Sequence, residues 1–252
     1  MLMKRLIKLL PIAAVICMGM LSCDKDDNDE EDAGKNSNIY IGHEYVDLGL
    51  SVKWATCNVG ATTPEECGDY YVWGDTITLY EPGYAQEDPL DHWKEGKTAG
   101  YKWETYKYCN GTYKTLTKYC NKSNYGNIDS DTTLLPVDDI AHSKWGGNWR
   151  MPTQAEFKAL LDSCNCEFII QNGVKGLKVT SRKDSSQSIF LPAAGYRSVT
   201  SLSYGGSRGY YWSSSLYTGG PYNAWYLYFG QDFGSTDVYS RSYGRSVRPV
   251  CP

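Results

Sequence analysis

The 252-residue chain carries 25 Lys and Arg against 29 Asp and Glu, and its first 22 residues hold three of the cations and none of the anions. Without that leader, 22 basic residues face 29 acidic ones, a formal charge of −7, which excludes a phosphate-reading surface and with it nucleic acid as a partner. Tyr (22) and Gly (25) are abundant and long periodic helices nearly absent, so the chain reads as rich in strands and loops.

Lys4, Arg5 and Lys8 precede an apolar run from Leu9 to Leu21 that Pro11 interrupts. Such a run is too short to span a bilayer and has the flanks of a secretory signal peptide. It ends in Met20-Leu21-Ser22-Cys23, which resembles a lipobox, so residues 1–22 are expected to be removed and Cys23 lipidated. Asp24 to Asp32 is almost wholly acidic and cannot bury a core, and the polar stretch to residue 42 completes a disordered tether over 23–42. An acidic stretch directly after the lipidated Cys also resembles an outer-membrane surface-export signal. The expected location is therefore the outer membrane, cell-surface exposed, with contact to the membrane only through the Cys23 lipid.

Residues 43–252 suit one domain. Alternating apolar residues from Tyr45 through Val46, Leu48, Leu50, Val52 and Trp54 predict a strand with a bulge or turn at Gly49, and Tyr70 to Trp73 a second. Val137 to Ser143 predicts a short helix with Asp138 near its start. Thr153-Gln154-Ala155-Glu156 is a capping box, followed by Phe157, Leu160, Leu161 and Cys164 on one helical face. Asn172-Gly173 predicts a hairpin turn between Phe168–Ile170 and Val174–Val179. Ile189-Phe190-Leu191, Tyr210–Ser213, Ala224–Phe229 and Ser246–Val250 complete the strand candidates. Beyond Cys23, the mature chain has an odd seven cysteines, which suit buried thiols or one or two disulfides better than zinc.

Several segments together resemble the Fibrobacter succinogenes major paralogous domain family. They are Val46–Ala55, Asn58–Ala61, Gly68–Gly74, Trp145–Thr153 with Glu156-Phe157, Leu191–Arg197, Gly209–Ser214 and Ser246–Val250. That family looks like a branch of the C-type-lectin-like fold related to formylglycine-generating enzymes. The resemblance implies an α+β domain with two short helices, small twisted antiparallel sheets, long ordered loops, and paired N- and C-terminal strands.

No chemistry is carried over with it. The related enzymes use two cysteines in the C-terminal part of the fold to bind copper, and only Cys251 lies beyond Glu167. A lectin-type calcium loop finds no match, Glu81-Pro82-Gly83 being misplaced and lacking the amide. Asn127 to Thr132 has the alternating oxygens of a calcium-loop start without the distal Glu, and an Asx-rich turn is the default there. His43, His92 and His142 nominate no triad. The expectation is a non-enzyme without cofactor or metal.

Residues 210–252 hold eight Tyr, seven Ser and five Gly but no Lys, Glu or His. Antibody paratopes use this alphabet, because Tyr gives wide amphipathic contact at low rotamer cost. The candidate ligand-binding residues are Tyr217, Tyr222, Asn223, Tyr226, Tyr228, Asp232, Asp237, Tyr239, Ser240, Ser242 and Tyr243, read as C-terminal loops. In Ala224–Phe229, period two sets Tyr226 and Tyr228 on one face and Trp225, Leu227 and Phe229 on the other. The function expected is binding or adhesion toward a protein or glycan. The alphabet also matches retroelement-diversified variable proteins. A diverged formylglycine-generating-type enzyme and a structural envelope subunit are the alternatives.

Overall fold

The computed structural model describes residues 38–77, 100–199 and 201–252. The leader, Cys23, the tether as far as residue 37, Glu81-Pro82-Gly83 and His92 lie outside the described residues, and the last stretch of the expected tether is not disordered, since Ile39 and Tyr40 pair with Glu44 and His43. Residues 37–252 form one compact unit. In chain order its elements are β1 (Ile39–Tyr40), β2 (His43–Val46), β3 (Lys53–Ala55), α1 (Ile140–Trp145), α2 (Gln154–Ser163), β4 (Cys164–Gln171), β5 (Val174–Ser181), β6 (Ser188–Pro192), β7 (Tyr196–Ser198), β8 (Ser201–Ser203), β9 (Gly209–Leu216), β10 (Asn223–Gly230), β11 (Phe233–Ser240) and β12 (Val250–Cys251).

The strands make four antiparallel sheets, ordered β1-β2-β3-β12, β4-β5-β6, β7-β8 and β11-β10-β9. This corrects the α+β, C-type-lectin-like expectation: the described residues are mostly β, and α2 is the only α-helix longer than two turns. The physical reason is local. Only residues 153–163 combine a cap with a sustained helical apolar face, and elsewhere alternation and turn residues favour hairpins.

Thr153 Oγ1 accepts the Glu156 N–H at 3.2 Å while the Glu156 carboxylate accepts the Thr153 N–H at 2.7 Å, so the capping box forms as expected. Arg150 holds the same carboxylate through its two terminal guanidinium nitrogens, Nη1 at 2.8 Å and Nη2 at 2.5 Å. The Asn172-Gly173 turn joins β4 to β5, with φ of 48° and 84°, the two positive values a type I′ hairpin demands. The Tyr45–Trp54 run divides at Gly49 into β2 and β3, and Tyr70–Trp73 makes only a single bridge, Tyr71 to Arg245. Around Val137 the backbone is a 3₁₀ turn, Pro136–Asp138, and the helix begins beyond it with Asp139, not Asp138, as its cap.

Phe157 and Leu160 of α2 pack with Trp54, Leu177, Val179, Leu191, Tyr211, Leu227, Phe229 and Val250 in the main core. Each such fully buried side chain contributes roughly 1.5–3 kcal/mol. Irregular segments are held by buried guanidinium groups. Arg248 donates to Asn58 Oδ1 (2.9 Å) and to the carbonyls of Ala55 (3.0 Å), Thr56 and Phe190 (2.9 Å). Arg241 donates to the Tyr106 hydroxyl (3.0 Å) and to the carbonyls of Tyr119 (2.8 Å), Pro221 (2.9 Å) and Lys118 (3.1 Å). Cys57, Cys109, Cys120, Cys164, Cys166 and Cys251 are free thiols.

Candidate binding face

The segment expected to form C-terminal loops is largely a meander, β9-β10-β11, whose two faces differ in chemistry. Tyr226 lies opposite Trp212 and Asp237, and Tyr228 opposite Tyr210 and Ser235. Alternation therefore gathers Tyr210, Trp212, Tyr226, Tyr228, Asp237 and Tyr239 on one face. Tyr211, Leu227 and Phe229 fall on the other, in the core beneath α2.

Against the tyrosine face lies Arg245, fully buried and fixed by paired backbone bonds to Tyr71, both 3.0 Å. Its guanidinium carbon sits 3.6 Å from the Tyr226 ring centroid, 4.4 Å from Trp212, 5.4 Å from Tyr210, 5.6 Å from Tyr239 and 5.8 Å from Tyr196. Nε and Nη1 have no hydrogen-bond partner. Aromatic faces, not acceptors, surround those two groups, and cation–π attraction partly replaces lost hydration. Burial pushes the guanidinium pKa down to about 10 and the Tyr226 phenol up to about 12.

From this cage the rings continue outward in contact. Tyr239 stacks on Tyr243 at 5.1 Å, Tyr243 meets Tyr196 at 5.6 Å, and Tyr196 meets Tyr204 and Tyr210 at 6.0 and 5.0 Å. Tyr210 meets Tyr228 at 5.4 Å, and Tyr228 meets Phe233 at 4.6 Å. Arg208 lies over Tyr204 and Phe233, at 4.4 and 5.8 Å. Tyr204 (49 %), Tyr239 (45 %) and Phe233 (41 %) are exposed, so the array opens to solvent.

The structure brings together Tyr226, Tyr228, Asp237, Tyr239 and Tyr243 of the eleven sequence candidates. Tyr226 is only 5 % exposed, so it supports the face from below, and its hydroxyl donates to Asp237 Oδ2 at 3.3 Å. Ser240 and the buried Ser242 bond to one another at 2.9 Å. Tyr217 packs on Trp225 at 5.6 Å. Tyr222 joins a different aromatic group, with Tyr113 and Tyr125, at 5.4 and 5.0 Å. Asn223 opens β10, half-buried, and Asp232 is exposed in the β10-β11 turn beside a 350 Å³ cavity that Phe168 and Phe233 help to line. Sequence reasoning missed Tyr196, Tyr204, Arg208, Phe233 and Arg245. The short β7-β8 hairpin sets the first two in place, and the available signal was the Tyr-Arg and Tyr-Gly-Gly spacing upstream of Gly209.

A second concavity, of about 550 Å³, is lined by Asp139, His142, Asn148, Trp149, Arg150 and Ser214 among others. Asp139, Arg150 and Ser214 are already engaged within the fold. Asp139 accepts from the N–H groups of Ala141 (2.9 Å), His142 (3.3 Å) and Met151 (2.8 Å), and Ser214 donates to the Pro152 carbonyl at 3.3 Å. His43 stacks on Trp145 at 3.7 Å, and burial lowers its pKa. The Asn127–Thr132 stretch is an Asx turn, in which Asp129 takes the N–H of Tyr119 at 2.5 Å and of Asp131 at 3.1 Å. Among the described residues no three His, Cys, Asp or Glu converge as metal ligands, and no helix is long and apolar enough to cross a membrane.

No curated protein and no solved structure matches the chain. One family model does, over residues 47–251, which takes in every sheet described above except β1 and β2 of the first. The chain belongs to the family of that model, the Lcl C-terminal domain.

Proposed function

We propose that this protein is a lipoprotein tethered through Cys23 at the cell surface, whose domain is a non-catalytic binding or adhesion module for a protein or glycan. The observation that carries the reading is the aromatic array running from Tyr239 to Phe233, open to solvent on a sheet face whose underside is locked in the core. Flat tyrosine rings have few rotamers to lose and offer apolar area beside a hydroxyl, which suits contact with a pyranose face or a protein loop. The Trp- and Gly-rich motif series from Val46 to Val250 supports a further kinship with the Fibrobacter succinogenes major paralogous domain proteins.

The test is a glycan array together with a surface-protein pull-down, using the wild type and a Tyr204→Ala/Tyr239→Ala variant. The expected result is a specific ligand whose binding the variant loses while its melting temperature stays unchanged. Equal binding by the two proteins overturns the assigned face, and absence of any ligand in both formats overturns the binding reading.

A further inference from the structure

Among the described residues β11 is the outer strand of its sheet, and the backbone shows which of its groups face away from β10. Arg241, one residue past the strand, donates its N–H to the Tyr222 carbonyl at 3.1 Å, continuing the β10 ladder. Odd-numbered residues therefore bond inward, and Gly234, Thr236 and Val238 present N–H and C=O groups outward. Local side chains occupy some of them. Asp237 Oδ1 accepts the Val238 N–H at 2.7 Å, and the Ser235 hydroxyl donates to the Thr236 carbonyl at 3.2 Å. Natural edges are blunted by Lys, Pro or a bulge. β11 has none of these over eight residues, bears the single charge of Asp237, and exposes Phe233 and Tyr239.

We propose that β11 is a self-association edge, where a second copy of this chain adds antiparallel about a twofold axis through Thr236. The strand's own charge selects the register. Opposed residues share parity, so a twofold axis passes through a residue, and only axes at 236 or 237 pair most of the strand. An axis at 237 sets Asp237 against its own copy, a destabilising like-charge pair. An axis at 236 sets Asp237 against Ser235 and Phe233 against Tyr239, each twice, with Thr236 facing Thr236. Gly234 and Val238 then exchange both backbone bonds. Asp237 gives up the Val238 N–H and accepts the Ser235 hydroxyl of the second copy, so its carboxylate keeps a donor. Phe233, Ser235, Asp237 and Tyr239 all lie on the tyrosine face, and pairing joins two such faces across six strands. The inference stands whether or not that face binds a ligand.

Thr236→Cys in the full chain tests it. On the axis the two Cα atoms lie about 5.5 Å apart, within the span a disulfide bridges. Mild oxidation is expected to give a non-reducing band at twice the monomer mass, absent from the parent chain. Ser235→Cys, whose thiol faces Asp237, is expected to give none. Adding Val238→Pro to Thr236→Cys deletes an outward N–H without touching the β10 ladder, and the band should vanish at an unchanged melting temperature. Failure of Thr236→Cys to crosslink overturns the interface. A band equally strong from Ser235→Cys, or one that survives Val238→Pro, overturns the register.

Discussion

Two buried arginines four residues apart are expected to respond oppositely to the same substitution. Replacing Arg245 by Met removes a guanidinium whose Nε and Nη1 lack acceptors. Burial has pulled its pKa from 12.5 to about 10, which makes the charge cost about 3 kcal/mol in the folded state. Against this stands the loss of cation–π contact with Tyr226 at 3.6 Å and Trp212 at 4.4 Å, worth about 2 kcal/mol when desolvated. Met fills similar volume and returns up to ~1.5 kcal/mol through sulfur–aromatic contact. The terms sum to about 1–2.5 kcal/mol in favour of Met, so Arg245→Met should leave the unfolding free energy nearly unchanged or raise it by up to about 2.5 kcal/mol.

Arg241 also lies over rings, Trp73 and Tyr106 at 5.0 and 5.1 Å, but each of its guanidinium nitrogens is hydrogen-bonded. Arg241→Met strands the buried carbonyls of Tyr119 and Pro221 and the half-buried one of Lys118, and should cost about 3–5 kcal/mol. Urea unfolding of the two variants beside the wild type measures both, with equal slopes confirming that midpoints report stability. If Arg245→Met destabilises as much as Arg241→Met, the ring cage itself satisfies a guanidinium as well as carbonyls do, and the reasoning fails.

Thr153→Ala opens the capping box of α2 and should lower stability by about 1 kcal/mol in the same assay. Gly126→Ala should cost well over the ~1 kcal/mol expected of Gly173→Ala, because its Cβ would stand 2.0 Å from the Leu116 carbonyl oxygen, whereas the space at Gly173 is open. Burial raises the Asp139 carboxyl to about 6 against three backbone donors. A raised acid stabilises the fold most below its unfolded pKa, so this contribution should decline as pH rises from about 4 through 6. In urea titrations at pH 4 and 7, Asp139→Asn should abolish that decline, and an unaltered slope would show that another group carries it.

What the sequence made legible follows from how local each signal is. The α2 cap and the Asn172-Gly173 turn are fixed by residues within four positions of one another, and both formed where expected. The split of Tyr226 and Tyr228 from Leu227 and Phe229 is equally local, since period two needs only strand geometry. β11 was unreadable because Phe233-Gly234-Ser235-Thr236-Asp237 has weak strand preference; its conformation is imposed by the ladder to β10. The burial of Tyr226 was unreadable for a different reason: Arg245, nineteen residues downstream, fills the space a ligand would otherwise reach. Nothing in Arg-Ser-Tyr-Gly-Arg-Ser-Val-Arg announces that Arg241, Arg245 and Arg248 all point inward.

Those arginines connect the irregular chain to the surface it presents. The described residues bury several long segments with little regular structure, and an unpaired carbonyl in such a segment costs about as much as a lost hydrogen bond. One guanidinium can answer several carbonyls from distant stretches at once: Arg241 links residues 106, 118, 119 and 221, and Arg248 links residues 55, 56, 58 and 190. Arg245 completes the set from the other side, replacing carbonyls with rings, and so clamps the aromatic array itself. A rim built on such a clamp has less conformational freedom left to lose when a partner arrives. The clamp predicts that Arg245→Met loosens Tyr239 and Tyr243 even though it costs no stability. Aromatic side-chain relaxation by NMR distinguishes the two effects: faster ring flipping with no loss of unfolding free energy supports the clamp, and unaltered flipping refutes it.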